Sequence, residues 1–256
     1  MTVPASVVIT GASSGIGRAL AMEYARRGAT LGLIARRAGL LEELADELPV
    51  KTCCYALDVR DADAMSSAGQ DFITRVGCPD VVIAAAGVSA GTLTGVVADS
   101  DVFNEILLTN LSGMMLSFRP FVELMRARRH GALAGVASVA GFRGLPGASA
   151  YCASKSATIT YLESLRLELR ADGVKVVTLC PGYVATPMTA VNPFPMPFMI
   201  DADRAARLIA DGIARGKRFH VLPWQMAVAG WFLRRLPRAA YDAIFAHAPR
   251  KPRRGQ

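Results

Sequence analysis

Seven short apolar runs, each bounded by turn-forming or charged residues, recur along the chain at residues 7–10, 31–35, 53–57, 81–86, 133–138, 174–180 and 219–222. Continuous apolar runs of this length predict strands buried on both faces. Between them, apolar positions repeat at helical spacing over residues 18–27, closed by Gly28, over 39–48, closed by Pro49, and over 150–171, ending near Gly173. Two more helices are expected to begin near Asp61 and Asp201. Strand and helix alternating in this way predict an α/β fold, a mostly parallel, doubly wound sheet of about seven strands with helices on both faces. The length of 256 residues suits one large domain. Residues 1–222 are read as its body and 223–256 as an extension without a core of its own.

The first candidate site lies where the first run ends. Thr10 leads through Gly11, Ser13, Ser14, Gly15, Ile16 and Gly17 into a helix. Glycines there let the backbone approach a pyrophosphate, whose charge meets free N–H groups and the positive end of the helix dipole. A plain tight turn is the competing reading of the glycines alone. The end of the second run, Ala35-Arg36-Arg37, bears on the choice of nucleotide. It has no carboxylate to accept from a ribose 2′-hydroxyl or to repel a 2′-phosphate. Arg36 can fork onto such a phosphate, which points to NADP, with NADPH preferred over NADH. Arg37 reads as a surface charge.

The second candidate site is catalytic. Tyr151 and Lys155 are four residues apart and share a helix face, so the ammonium can stabilise an ionised phenol. Ser138 stands thirteen residues before Tyr151, and Asn110 lies further upstream. Taken singly, these are a common helical pair, an ordinary strand-end serine and a mid-helix kink residue. In this order, behind that glycine turn, they form an acid/base group beside a nucleotide site.

Together, these motifs resemble the short-chain dehydrogenase/reductase family over about residues 3–222. The resemblance implies a Rossmann-like fold and an NADP-dependent enzyme interconverting carbonyl and alcohol. It implies that Tyr151 is the acid/base, that Ser138 holds the reacting oxygen and that Asn110 helps hold a proton-relaying water. Lys155 would also bond the nicotinamide ribose, and Ser13 would be a second phosphate contact. Asp58, followed by Val59, would meet the adenine, although an Asp there also suits a helix cap. Pro181, Gly182, Val184 and Thr186 would lie beside the nicotinamide. Ala85 departs from the family's usual Asn and removes its amide, which leaves Ala85 and Gly87 to meet the cofactor through their backbone. Homodimers or homotetramers are expected on the same grounds. The rival readings are a catalytically silent nucleotide-binding regulatory protein and a membrane-surface interaction protein on the same fold.

Charge changes the picture only at one end. From Arg215 onward, ten basic residues face Asp242 alone, a net of +9 in a chain whose total is +8. The basic character therefore belongs to the tail, and no motif marks a nucleic-acid groove. Residues 223–248 interleave Trp224, Trp231 and Phe232 with Arg234, Arg235 and Arg238. They read as two amphipathic helices broken at Pro237, which either pack on the protein or a second copy, or lie at a lipid interface. The proline-rich segment 187–200, with Phe194, Met196, Phe198 and Met199, implies either an apolar substrate cover or core packing. His130, His220 and His247 have no metal-ligand spacing, and no metal is expected. No signal-type segment precedes Val7, so the five cysteines are expected as reduced thiols of a cytoplasmic protein, with membrane association open through the tail.

Overall fold

The computed structural model describes residues 4–254. Nine strands lie along them: β1 (Ser6–Thr10), β2 (Thr30–Ala35), β3 (Thr52–Ala56), β4 (Val81–Ala84), β5 (Ala132–Val136), β6 (Lys175–Pro181), β7 (Val184–Ala185), β8 (Ile200–Asp201) and β9 (Phe219–Leu222). The two-residue β7 and β8 pair with each other. The other seven form one parallel sheet in the order β3-β2-β1-β4-β5-β6-β9. This is the Rossmann-like doubly wound architecture expected from the pattern. Strand order reverses between β1 and β4, which opens a crevice at the strands' carboxyl ends.

The helices are α1 (Gly15–Arg26), α2 (Ala38–Glu47), α3 (Ala62–Val76), α4 (Asp99–Leu107), α5 (Gly113–Ala127), α6 (Ser149–Glu168), α7 (Pro187–Ala190), α8 (Ala202–Ala214), α9 (Trp224–Arg235) and α10 (Arg238–Phe245). Strand alternation sends neighbouring side chains to opposite faces of the sheet. Val7 and Ile9 of β1 join Leu20 and Tyr24 of α1 and Ile209 and Ile213 of α8 in one apolar layer. Val8, between them, joins Phe72 of α3, Phe121 of α5 and Leu162 of α6 in the other. Both faces are covered, which is why the strands read as unbroken apolar runs.

The carboxy-terminal segment is part of this body. Arg143 donates to the carbonyls of Leu233 and Leu236 at 3.1 and 3.0 Å, occupying acceptors that the end of α9 leaves free. Its guanidinium carbon also lies 4.0 Å from the Tyr241 ring centroid, and the Tyr241 hydroxyl donates to Gly144 O at 2.6 Å. Arg234 stacks over Phe142 at 4.0 Å. Of the arginines that suggested a lipid surface, Arg234 therefore serves packing. The outward face of α9 still exposes Trp224, Val228 and Trp231, spaced at helical intervals. Among the described residues, no helix is long and apolar enough to cross a membrane.

Candidate active site

A cleft of about 340 Å³ runs along the carboxyl ends of the strands, from the glycine turn to Tyr151. At one end the chain leaves β1 through Gly11 (φ 72°) and Gly15 (φ 54°), conformations that favour glycine. A Cβ on Gly11 would stand 2.8 Å from Ala86 Cα, and one on Gly17 only 2.1 Å from Gly11 O. The glycines thus let the turn press against the end of β4 and let α1 begin directly under it. Ser14 precedes α1 without capping it through its side chain, and no acidic residue occupies the first turn. The helix N-terminus is left free for an external anion, and the residues present fit a dinucleotide's pyrophosphate.

Both arginines after β2 line the cleft. Arg37, read from the sequence as a surface charge, donates to Ser13 Oγ and Ser14 Oγ at 2.9 Å each, closing the rim of the glycine turn. Arg36 also lines the cleft, but its guanidinium stands 4.0 Å from Asp58. Asp58 is clamped by Arg60 at 2.6 Å, and that hydrogen-bonded guanidinium holds its carboxyl below the usual range. The capping role belongs to Asp61, which accepts from the amides of Asp63 and Ala64. Asp58 is thus left on the cleft wall with Val59. Only the pairing of two adjacent arginines signalled Arg37 in the sequence, and that signal does not say which one bonds the serines of the turn.

Where Ala85 stands without an amide, other groups tie the wall together. The Ala86 N–H donates to Thr10 Oγ1 at 3.3 Å, joining β4's end to β1. Asn110 accepts from Val88 N at 2.8 Å, and its amide donates to Val88 O and Ser154 Oγ, each at 3.0 Å. It is wholly buried, in a π-helical turn (Leu108–Ser112) between α4 and α5. The wide turn aims the amide at Val88 and Ser154. Asn110 stands one layer behind the cleft, which Thr109 lines in its place.

At the other end Ser138, Tyr151 and Lys155 converge. Ser138 lies just past β5, where its hydroxyl accepts from Ala140 N at 3.1 Å. Lys155 is buried, donates to Val136 O at 2.8 Å and stands 5.8 Å from the Tyr151 ring centroid. Burial pushes the Tyr151 phenol up to about 12, against a smaller lowering by the Ser138 hydroxyl. Burial also brings Lys155 down to about 8. Such a phenol is protonated at neutral pH and can donate to an oxygen that gains negative charge, while the lysine keeps most of its charge.

The floor beyond them is Pro181, Gly182, Val184 and Thr186. Thr186 begins α7 in a capping box with Thr189, which also donates to Val184 O at 2.6 Å. A Cβ on Gly182 would meet Met226 at 2.6 Å, so this glycine lets α9 close against the floor. In the segment above, Phe198 and Met199 are exposed while Phe194 and Met196 are half-buried, so none of the four joins the core.

The chain is similar to known oxidoreductases. The model of the family described as short chain dehydrogenase matches residues 5–193. An uncharacterized oxidoreductase of Myxococcus xanthus is 39% identical over 241 residues, covering 93% of this chain and 95% of that protein. Dehydrogenase/reductase SDR family member 7B of Bos taurus is 35% identical over 193 residues, 71% of this chain and 58% of that longer protein. The crystal structure of a short-chain dehydrogenase from Streptomyces avermitilis superposes with a TM-score of 0.80 at 25% identity, covering 94% of both chains.

Proposed function

The chain belongs to the short chain dehydrogenase family, and from that premise we propose that it is an NADP(H)-dependent oxidoreductase interconverting a carbonyl and an alcohol on a hydrophobic substrate. One observation carries the reading: Ser138, Tyr151 and Lys155 line the same cleft as the glycine turn and Arg37. When bound, the dinucleotide supplies hydride in reduction. Ser138 hydrogen-bonds the carbonyl oxygen and fixes its orientation. Tyr151 gives its proton to that oxygen as negative charge develops there, and takes one back when an alcohol is oxidised. Lys155, held by Val136 O, stabilises the phenolate left behind and bonds the nicotinamide ribose. Asn110 positions the wall through Val88 and Ser154 and, in this reading, supports a water that returns the proton.

Preference for NADPH rests on Arg37 and Arg36 at the rim, with no carboxylate in Ala35-Arg36-Arg37. Arg37 is the main partner of the 2′-phosphate, with Ser13 beside it. The exposed Phe198 and Met199 support an apolar substrate. Small side chains on the outer face of α6, Ala153, Ser156 and Thr160, form a shallow groove beside Met115 of α5 that suits a second copy of the chain, as a dimer or tetramer. The outward Trp224, Val228 and Trp231 suit peripheral contact with anionic lipid.

The test is consumption of NADPH and NADH against aldehydes, ketones, steroids, acyl esters and sugars. The reading expects turnover of at least one apolar carbonyl with NADPH favoured. Tight NADPH binding without turnover of any of them supports the silent regulatory reading instead.

A further inference from the structure

The last described residues return across the protein to the reacting end of the cleft. Gly91 N donates to Pro252 O at 2.8 Å, and Gly91 pairs with Arg253 in a parallel bridge. A Cβ on Gly91 would stand 2.3 Å from Lys251 O, so this approach requires glycine there. Arg253 forks onto the buried carboxylate of Asp99 at 2.9–3.2 Å, and Arg254 pairs with Glu105. On the other flank, the Arg250 side chain lies against Gly147, 3.0 Å from the position of an added Cβ. Residues 250–254 are thus a strap fixed at several points.

This strap carries Lys251 to a particular place. Its ammonium donates to Met188 O at 3.3 Å and stands 6.0 Å from the Tyr151 ring centroid. Met188 and Tyr151 both line the cleft. Arg253 and Arg254 each have a carboxylate, but Lys251 has none among the described residues. It is half-buried, and burial lowers its proton affinity. A cation drawn out of water toward one carbonyl retains donors that a bound anion would satisfy.

Building on the carbonyl-reducing role proposed above, we propose that Lys251 forms an anion subsite, selecting substrates that carry a carboxylate on the apolar body bearing the reactive carbonyl. The carboxylate accepts from the Lys251 ammonium while the carbonyl oxygen faces Ser138 and Tyr151. Lys251 is then a specificity-determining residue supplied by the chain's far end. The strap wall beside Tyr151 is part of the binding surface.

The probe is a matched pair, 4-carboxybenzaldehyde and methyl 4-formylbenzoate, which differ in charge and little in shape. The readout is the acid-to-ester ratio of kcat/KM with NADPH. Lys251→Met should lower that ratio by ~10-fold or more, chiefly through KM for the acid, in keeping with loss of a charge-assisted hydrogen bond. Lys251→Arg should keep most of it. Arg253→Ala, which releases the strap from Asp99, should lower it as well. An unchanged ratio in Lys251→Met overturns the subsite. Calorimetric titration of the unreactive 4-carboxybenzamide onto the NADPH-loaded protein tests the same contact without chemistry. Wild type should bind it at least ~10-fold more tightly than Lys251→Met, and equal binding overturns the subsite. If wild type binds the amide in this Lys251-dependent way yet turns over no carbonyl, the subsite stands and the oxidoreductase reading fails.

Discussion

The two ends of the cleft are built by different means. The pyrophosphate cradle is made of backbone: the turn at Gly11, the free N-terminus of α1 and the close approach of Gly17 to Gly11 O, all within a few residues of β1. The substrate end is made of side chains from remote segments. Ser138 comes from beyond β5, Tyr151 from α6 and Met188 from α7, and Lys251 of the strap approaches the last two. A backbone site follows from steric rules that act locally, so the residues announce it. A side-chain site depends on which surfaces meet, and the same residues read equally well as solvated.

The reacting end has the largest effect at stake. Tyr151→Phe removes the proton donor and should cut turnover by ~100-fold or more while NADPH still binds. Steady-state rates with a cofactor titration check both halves. At the phosphate end, Arg37→Asp should weaken NADPH binding by ~10-fold or more and leave NADH much less affected, as fluorescence titration would read. Arg36→Asp should shift the same preference less, because Arg36 already faces Asp58. Equal loss of both nucleotides in the Arg37 variant would break the assignment.

The two ends should also answer differently to pH. Lys155 loses its proton as pH rises through about 8. Carbonyl reduction should therefore decline above that value, toward ~10-fold per pH unit if the charged lysine is required. NADPH binding measured across the same range should fall less steeply. A rate that is flat to pH 10 would contradict a role for the lysine charge.

Smaller effects belong to the carboxy-terminal segment. Tyr241→Phe deletes the bond to Gly144 O and should cost about 1 kcal/mol, lowering Tm by ~2–4 °C. Lipid contact by the outward face of α9 should show as co-sedimentation with anionic vesicles at low salt that fades as ionic strength rises, since exposed charges are screened over ~8 Å at physiological salt. The absence of any co-sedimentation would assign this segment to packing alone.

What the residues disclosed follows the same division. The seven main strands were legible to within one or two residues because burial on both faces removes polar positions. The run 81–86 ends as a strand at Ala84, since Ala85 and Ala86 leave the sheet to line the cleft. The run 133–138 ends at Val136, which leaves Ser138 beyond the sheet at the site. Helix α1 begins at Gly15, earlier than the apolar spacing suggested, because Gly15 and Gly17 flank Ile16 in its first turn and carry no apolar signal. Asn110 was read as a site residue, but its depth behind the cleft was not legible, for the π-helical turn has no sequence mark. Arg37 and Lys251 were hidden among surface charges, since only tertiary contacts with Ser13 and Met188 distinguish them from their neighbours.

The central claim is that one cleft joins a bound NADPH to a proton donor at Tyr151. Its most direct measurement is transfer from NADPH deuterated at the nicotinamide C4 position to a panel of apolar carbonyls, with the alcohols examined by mass spectrometry. Wild type should form a deuterium-labelled alcohol from at least one carbonyl, and Tyr151→Phe should bind NADPH yet form ~100-fold less. Tight NADPH binding with no labelled alcohol from any carbonyl, or equal labelling by the two proteins, would contradict it.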